Sequence, residues 1–333
     1  MTRLVQLWCR DVRRVALVEE PRVRLLGECA SICALAREAI AAGTTLTALI
    51  RDHARGEALD YDAIYRGESE WQLLPPIDHP EESARCLVSG TGLTHLGSAK
   101  NRSAMHGASD AELTDSMKMF RWGVEGGRPA AGKIGVAPEW FYKGDGSILR
   151  AHGERLSVPS YAEDGGEEGE IAGIYLIDSY GWPCRVGMAT GNEFSDHKFE
   201  KKNYLNLAGS KIRTCSLGPE LVIDPEFKSV PGKVSIERAG KMLWTKEIRS
   251  GEAEMCHSLQ NIEHHHFKFE THRRPGDVHV HYFGACALSF GDGVKLVEGD
   301  VMEIQFEGFG RPLRNPVSIA QNTDNLVSVS SLA

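Results

Sequence analysis

Two glutamates separated by one residue stand at the start of an apolar run, and their spacing suits a metal site. Glu168 and Glu170 flank a glycine, and the pattern of Glu170–Asp178 predicts a strand. Residues i and i+2 of a strand face the same side, so both carboxylates would point in one direction. Hard cations such as Mg²⁺ prefer carboxylate oxygens. Because several neighbours are acidic too, the local sequence alone also fits a polar loop.

A second group of oxygen-bearing side chains follows the next predicted strand, Arg185–Thr190. The segment 191–196 reads Gly-Asn-Glu-Phe-Ser-Asp, so Glu193 and Asp196 are both candidates for a third carboxylate. Three carboxylates would leave about three of the six positions around Mg²⁺ for water or substrate.

The first 80 residues predict a small α/β unit. Its predicted strands are Leu4–Trp8 and Arg14–Glu19, its predicted helices are Ser31–Ala42 and Thr45–Ala54, and Gly43 is a plausible helix stop. The segment Trp71–Ile77 contains two prolines and predicts a linker or an edge strand. We therefore expect an N-terminal domain over residues 1–80 and a catalytic domain over residues 81–333.

The rest of the chain is richer in strands and glycine, which indicates an α+β protein whose larger domain is mostly β. Its predicted helices are Asp110–Gly123, with Asp110 as N-cap, and Glu252–Phe269. The other predicted strands are Ser216–Ile223, Asp277–Phe283, Val301–Phe306 and a hairpin over Val234–Ile248 that turns at Ala239-Gly240.

Composition narrows the class of protein. The 333 residues carry a formal charge of −8 with no Lys/Arg-rich run, so we expect no nucleic-acid partner. Charged residues interrupt Met1–Glu20, so no signal sequence or membrane segment is predicted. The eight cysteines form no CxxC pair, which predicts reduced thiols and a cytoplasmic protein.

The order of these motifs resembles the fumarylacetoacetate hydrolase superfamily. That family's catalytic domain carries a Glu-x-Glu strand, an Asn-Asp-x-Ser turn, a lysine before a Gly-Pro turn, a Gly-Asp strand and a late Leu-Arg-Asn-Pro-Val. The matching residues here are Glu168-Gly169-Glu170, Asn192-Glu193-Phe194-Ser195, Lys211, Gly218-Pro219, Gly276-Asp277, Gly299-Asp300 and Leu313-Arg314-Asn315-Pro316-Val317. The resemblance covers roughly residues 85–320. It implies that family's β-roll and mixed-sheet catalytic fold, with Glu168, Glu170 and Glu193 holding the metal and Lys211 beside it.

Within the superfamily, the chain looks most like the 2-keto-3-deoxy-sugar-acid dehydratases. The segment 138–143, Pro-Glu-Trp-Phe-Tyr-Lys, resembles that branch's Pro-Glu-Ile-Phe-Phe-Lys, whose glutamate is a catalytic acid/base. The resemblance therefore implies a catalytic role for Glu139 and substrate contacts from Lys143. Thr94–Arg102 resembles the branch's active-site loop and places Ser98 and Arg102 against the substrate.

Two departures from the family pattern matter. The third metal ligand is usually aspartate, whereas this chain has Glu193 at the motif position and Asp196 nearby. We favour Glu193 for its position. The family's Thr-Gly-Thr after the Gly-Asp strand, whose hydroxyl contacts the substrate carboxylate, is replaced by residues 279–284, His-Val-His-Tyr-Phe-Gly. His281 can take that role, or it can be a satisfied structural histidine.

The resemblance implies a metal-dependent lyase that uses Mg²⁺, Mn²⁺ or Ca²⁺. Its expected substrate is a small 2-keto-3-deoxy sugar acid such as 2-keto-3-deoxy-arabinonate, and its expected assembly is a homodimer. One alternative is a hydrolase that cleaves a carbon–carbon bond in a diketo acid or acylpyruvate. A second alternative is a non-catalytic sugar-acid binding protein.

Two other patterns look like sites but are discounted. Three consecutive helical residues cannot share one face, so His264-His265-His266 predicts helix surface or an interface. Acylpyruvate hydrolases of the superfamily often carry a His-x-x-Glu pair before the metal strand. No such pair occurs in residues 85–167, and this absence favours dehydration over hydrolysis. The pair His197 and Glu200 has that spacing but follows the third ligand.

Overall fold

The computed structural model describes residues 1–53, 56–96, 115–321 and 326–332. Its strands are β1 (Thr2–Cys9), β2 (Val12–Glu19), β3 (Arg22–Leu25), β4 (Ala58–Asp60), β5 (Gln72–Leu74), β6 (Cys86–Gly92), β7 (Glu139–Asp145), β8 (Leu149–Arg150), β9 (Leu156–Val158), β10 (Gly169–Ile177), β11 (Pro183–Asn192), β12 (Cys215–Leu217), β13 (Leu221–Ile223), β14 (Val230–Arg238), β15 (Lys241–Ser250), β16 (Val278–Tyr282), β17 (Val301–Phe306) and β18 (Leu313–Ile319).

The α-helices in these ranges are fewer than the strands, and none is longer than the twelve residues of Asp115–Gly126. They are α1 (Ile32–Ala42), α2 (Leu46–His53), α3 (Tyr61–Tyr65), α4 (Asp115–Gly126), α5 (His197–Lys202), α6 (Leu207–Lys211) and α7 (Leu259–Phe267). Across the described ranges, no single helix is long and apolar enough to cross a membrane. Among the described helices, α1 and α2 taken together meet the length and composition for a span, but they are bent by 113°.

One large mixed sheet carries most of the chain. Its strands lie in the order β4-β3-β2-β1-β13-β11-β10-β16-β6-β7, with β5 beside β1 and with β12 and β8 joined beside β11. Because β1 pairs antiparallel with β13, the N-terminal strands continue the sheet that contains Glu170. The division into two domains near residue 80 stays a prediction.

A second sheet packs on one face of the first. Its order is β15-β14-β17-β18-β9, and its Val234, Ile304 and Phe306 share a buried cluster with Ile171 and Met188 of the large sheet. The two sheets approach each other closely at Gly169, where an added Cβ would lie 2.6 Å from Val234 Cγ2. Since alternate residues of a strand face opposite sides, the side chains on either side of Gly169 point away from the second sheet.

Helices α1 and α2 cover the other face of the large sheet. Ile32, Leu35 and Leu49 pack there against Ile174 and Val280. Ser31 caps α1 by accepting a hydrogen bond from Ala34 N, and Gly43 ends it in a left-handed conformation, as its sequence predicts.

Two predicted elements are wrong, and each has a local cause. The strand predicted over Ser216–Ile223 is split into β12 and β13, because Gly218 has φ +112° and Pro219 has no N–H for the ladder. The helix predicted over Glu252–Phe269 begins only at Leu259. Backbone pairing of residues 255–256 with residues 94–95 takes the place of its first turns.

Candidate metal centre

The paired strands β10 and β11 bring Glu168 and Glu193 together although 25 positions separate them. Glu193 N donates to Glu168 O at 3.0 Å, which continues the ladder by one step. The Asn192 side chain holds the corner, because its Oδ1 accepts hydrogen bonds from Glu168 N and Phe194 N at 3.1 and 3.2 Å. The asparagine of the motif therefore fixes the backbone from which the carboxylates project.

The three predicted ligands form one buried cluster. One carboxylate oxygen from each of Glu168, Glu170 and Glu193 lies within 4.8 Å of the others. Their exposed fractions are 7%, 1% and 0%. Gly169 faces the second sheet, so Glu168 and Glu170 share the opposite face, as the strand alternation predicts.

Lys211, at the end of α6, lies between two of these carboxylates. Its Nζ is 2.6 Å from Glu168 Oε1 and 2.7 Å from Glu193 Oε2, and the ammonium sits 4.8 Å from the centre of the Phe141 ring. Burial acts to lower the pKa of Lys211, but the carboxylates around it, led by Glu168, raise that pKa well above its ordinary value. The lysine therefore remains a fixed positive charge at the site.

A second buried lysine contacts the other carboxylate oxygen of Glu193. Lys143 Nζ lies 2.6 Å from Glu193 Oε1 and donates to Phe194 O and Lys211 O, both at 2.8 Å. One ion pair and two hydrogen bonds to backbone carbonyls therefore surround this ammonium. The geometry favours a role in holding Glu193 over the predicted contact with substrate.

The three buried carboxylates of the site repel one another, and a divalent cation between them would relieve that repulsion. Burial, followed by repulsion from Glu193 and Glu168, raises the pKa of Glu170 well above its ordinary value. Lys211 and Lys143 contact the other two carboxylates, whereas Glu170 Oε2 accepts from the backbone N–H of Gly284 at 2.6 Å. Three clustered oxygens with excess negative charge fit a hard cation such as Mg²⁺, Mn²⁺ or Ca²⁺.

Asp196, the alternative third ligand, is engaged elsewhere. It caps α5, where Oδ1 accepts from Phe199 N at 2.9 Å. Its Oδ2 accepts from Glu163 N at 2.9 Å and pairs with Arg213 Nη2 at 3.0 Å. Within the described part of the chain, the carboxylate cluster contains Glu193 and not Asp196.

Glu139 is the first residue of β7, and its side chain is on the strand face that is directed to the site. Phe141, two residues along the same face, lies under Lys211, so Glu139 is displaced along the strand by roughly 7 Å. The Glu139 carboxylate is buried and hydrogen-bonded to Tyr204. Burial, followed by Glu139, raises the pKa of Tyr204 to about 12, so the phenol keeps its proton.

His281, the predicted substrate contact, is held by two hydroxyl groups of β6. Ser89 Oγ lies 2.9 Å from its Nδ1 and Thr91 Oγ1 lies 2.6 Å from its Nε2. The parallel register of β16 and β6 sets this arrangement by pairing His281 with Ser89. Both ring nitrogens are satisfied, which favours the structural role over the substrate role.

His281 should make the folded state sensitive to acid. Burial, followed by repulsion from His279 and His272, lowers the pKa of His281 to about 3. An unfolded chain binds a proton at this residue below pH 6.5, whereas the folded chain does not, so stability falls as pH drops below that value. The unfolding free energy of the parent should fall between pH 8 and pH 5. We expect this fall to be smaller by about 2 kcal/mol in His281→Asn.

Urea unfolding of parent and variant at both pH values measures this difference. Asparagine can still hydrogen-bond to both hydroxyls, and the pH 8 pair reports any packing cost separately. An equal loss in the two proteins would contradict the assignment of His281 as a buried neutral residue.

The three consecutive histidines of α7 are more buried than the sequence predicts. His265 and His266 are buried, and only His264 is partly exposed. Trp140 Nε1 donates to His266 Nδ1 at 3.2 Å, and His266 Nε2 lies 2.9 Å from His279 Nδ1. The helix-surface alternative is wrong for His265 and His266, because tertiary packing surrounds this side of the helix, and the interface alternative stays a prediction.

Several motif residues support the fold instead of the site. Asp300 pairs with Arg238 through both carboxylate oxygens at 2.8 Å. Asn315 Nδ2 donates to Ala151 O at 2.8 Å, and its Oδ1 accepts from Ser216 Oγ at 2.6 Å. The remaining predicted substrate residues, Ser98 and Arg102, lie outside the described residues.

His197 and Glu200, for which the sequence predicted no role in the site, contact two of its residues. His197 Nε2 is 3.0 Å from Glu168 Oε1, and Glu200 Oε2 is 3.8 Å from Lys211 Nζ. Their i, i+3 spacing on α5 places both on one helix face. The signal was their position between Glu193 and Lys211, both of which were already candidates.

Solved structures with the same architecture are known. A 2-keto-3-deoxy-D-arabinonate dehydratase complexed with magnesium and 2,5-dioxopentanoate superposes with a TM-score of 0.71 at 20% identity, covering 96% of this chain and 99% of that one. This chain has the fumarylacetoacetate hydrolase fold. The resemblance inferred from the motifs is thus confirmed for the fold.

Other proteins with the fumarylacetoacetate hydrolase fold match less closely. A 5-carboxymethyl-2-hydroxymuconate delta-isomerase from Mycobacterium smegmatis gives a TM-score of 0.58 at 18% identity, with 96% of this chain and 99% of that one covered. A 2-hydroxyhepta-2,4-diene-1,7-dioate isomerase from Mycobacterium marinum gives 0.57 at 17% with the same coverage. No protein-family profile matches the sequence, and no curated protein matches it.

Proposed function

We propose that this chain is a divalent-metal dehydratase of a small 2-keto-3-deoxy sugar acid. The observation that carries the proposal is the buried cluster of Glu168, Glu170 and Glu193 with the Lys211 ammonium bridging two of its members. The dehydratase with the same fold binds magnesium and 2,5-dioxopentanoate, and that ligand is what remains after a five-carbon 2-keto-3-deoxy acid loses water.

The residues of the site have separable tasks. A divalent cation held by the three glutamates would supply Lewis-acid stabilisation of the charge that develops on a keto oxygen. Lys211 adds a fixed positive charge beside the same place. Both charges favour an anionic 2-keto acid in a chain whose net charge is −8.

Glu139 is the proposed acid/base. The C3 proton passes to its carboxylate, and the C3–H electrons form a C2=C3 double bond while the keto oxygen takes up the negative charge of an enolate. That charge then returns as C2=O re-forms, the C2=C3 electrons form the C3=C4 double bond, and the C4–O bond breaks. The departing hydroxyl then takes a proton from Glu139 and leaves as water, and tautomerisation yields the semialdehyde of 2-oxoglutarate. The hydrogen bond from Tyr204 would hold the carboxylate in place between the two transfers.

The test is product analysis with 2-keto-3-deoxy-arabinonate and Mg²⁺ for the parent and for Glu139→Gln. We expect the parent to form the semialdehyde and the variant to lose about 10²- to 10⁴-fold in kcat, the usual value of general acid/base help. Mn²⁺ affinity serves as the control and should stay near that of the parent, since Glu139 is outside the metal cluster.

Two results would replace the proposal. Release of pyruvate from an acylpyruvate, with no turnover of the sugar acid, would identify a carbon–carbon hydrolase. Saturable binding of the sugar acid without turnover by the parent would identify a binding protein on the same fold.

A further inference from the structure

Helix α5 follows shortly after the third carboxylate and contacts the site through two of its residues. Asp196 caps it, and its first residue, His197, reaches Glu168 Oε1 with Nε2 at 3.0 Å. One turn later, Glu200 reaches toward Lys211 at 3.8 Å. The helix thus contacts one predicted metal ligand and the lysine that bridges two of them.

The His197 ring is confined on two sides. Its exposed fraction is 5%, and the ring of Phe290 lies 5.4 Å away. Gly166 also lies against the ring, and an added Cβ there would come within 2.3 Å of Nδ1. Such a ring has little freedom to rotate, so its hydrogen bond to Glu168 is fixed in direction.

Glu167, which precedes Glu168 in the chain, holds the segment that contains Phe290. Glu167 is fully buried, and its carboxylate accepts from Ser289 N at 2.7 Å and from Ser289 Oγ at 2.8 Å. Glu167 and Glu168 are adjacent in the chain, so the backbone that carries the metal carboxylate also fixes the wall behind His197.

Glu168 Oε1 therefore receives two donors, from His197 at 3.0 Å and from Lys211 at 2.6 Å. Two directed donors on one oxygen restrict the rotation of the carboxylate. Partners of this kind behind a metal ligand usually orient it and tune its affinity for the ion.

We propose that His197 is a positioning residue that sets the orientation of Glu168 for a divalent cation. The inference deepens the proposed function and rests on its metal site. His197 acts through Glu168, because Nε2 is engaged by the carboxylate, while Nδ1 lies buried against Gly166 without a hydrogen-bond partner among the described residues.

Calorimetric titration of the full chain with Mn²⁺ alone tests this role. We expect His197→Phe, which keeps the ring but loses the donor, to bind Mn²⁺ about 10- to 100-fold more weakly. His197→Gln should recover most of the affinity, because its amide can donate to Glu168. His265→Phe, which removes a buried histidine outside the metal cluster, is the matched control and should bind as the parent does.

A second variant covers the case in which His197→Phe fails to fold. Gly166→Ala keeps every polar group but drives the ring from its place, so it should weaken Mn²⁺ binding in the parent. In a His197→Gln background the same change should cost much less, because the two effects share one contact. Equal losses in both backgrounds would overturn the proposal, as would His197→Phe binding Mn²⁺ within about two-fold of the parent.

Activity separates this inference from the proposed function. At saturating Mn²⁺ a positioning variant should regain kcat to within about ten-fold, whereas a persistent loss above about 10² would show that His197 takes part in the chemistry. If the parent dehydrates no sugar acid while the Mn²⁺ pattern holds, the proposed function fails and the positioning role stands.

Discussion

Replacing Lys211 by methionine is expected to lower the free energy of unfolding by about 3–5 kcal/mol in EDTA, the usual cost of breaking a buried ion pair from one side. The change removes one ammonium and keeps a stem of similar length. Glu168 and Glu193 lose contacts of 2.6 and 2.7 Å and remain buried with their negative charge. Chemical denaturation in EDTA measures the loss.

The same variant should lose turnover by about 10²- to 10³-fold, as when one oxyanion donor is removed. A bound cation replaces part of the missing charge, so Mn²⁺ should restore much of the stability but little of the rate. A variant that recovers both with Mn²⁺ would show that Lys211 serves the fold alone.

Lys143→Met is the matched control for this experiment. Lys143 is just as buried, and it contacts Glu193 and two backbone carbonyls. We expect a similar loss of stability with a smaller loss of kcat at saturating Mn²⁺, because Lys143 lies behind the cluster. Equal kinetic losses in the two variants would remove the distinction between the lysines.

The centre of the site was predictable because two independent rules agree on it. Strand alternation places Glu168 and Glu170 on one face, and the buried Gly169 confirms which face that is. Glu193 follows from the motif order, but its contact with Glu168 depends on the register of β10 and β11. Local patterns carry no information on register between strands separated by this much chain.

The residues around the centre were harder to predict for the same reason. His281 was ambiguous in the sequence, and the parallel pairing of β16 with β6 supplies the two hydroxyls that satisfy it. Lys143 was assigned to substrate because the motif gives no direction for its side chain. Both depend on contacts between distant segments, which periodicity does not encode.

His197 and Glu200 show the limit of arguing from motif position. Their spacing was visible, but the position after Glu193 argued against a site role. A three-residue step on a short helix between Glu193 and Lys211 places both side chains on one face. Proximity along the chain to two candidate residues was therefore the better guide.

Replacing Glu170 by glutamine is expected to stabilise the protein in EDTA and to abolish its response to metal. Glu170 lies within 4.8 Å of two other carboxylates, and like charges at that distance repel by roughly 3 kcal/mol at an effective dielectric constant of 20. Glutamine keeps the acceptor for Gly284 N and removes the charge. We expect a gain of about 1–3 kcal/mol in the unfolding free energy.

Added Mn²⁺ should reverse the order of the two proteins. An ion at about 1,000 times its Kd stabilises the parent by about 4.1 kcal/mol, which exceeds the gain from the substitution, whereas the variant lacks one of the three ligands. Turnover should fall by about 10³-fold or more, since Lewis-acid stabilisation contributes several kcal/mol. Thermal or chemical unfolding in EDTA and in Mn²⁺ measures both halves of the prediction.

Glu220→Gln distinguishes crowded negative charge from burial as the source of this effect. Glu220 is equally buried but accepts hydrogen bonds from Arg3 at 2.8 Å and Tyr61 at 3.0 Å, so its charge is balanced. Glu220→Gln should lower the unfolding free energy by a similar amount in EDTA and in Mn²⁺. The stabilisation that Mn²⁺ gives should therefore be the same in this variant as in the parent. If Glu170→Gln behaves in this way instead, the three glutamates are an ordinary buried polar cluster, and the metal assignment fails together with the chemistry built on it.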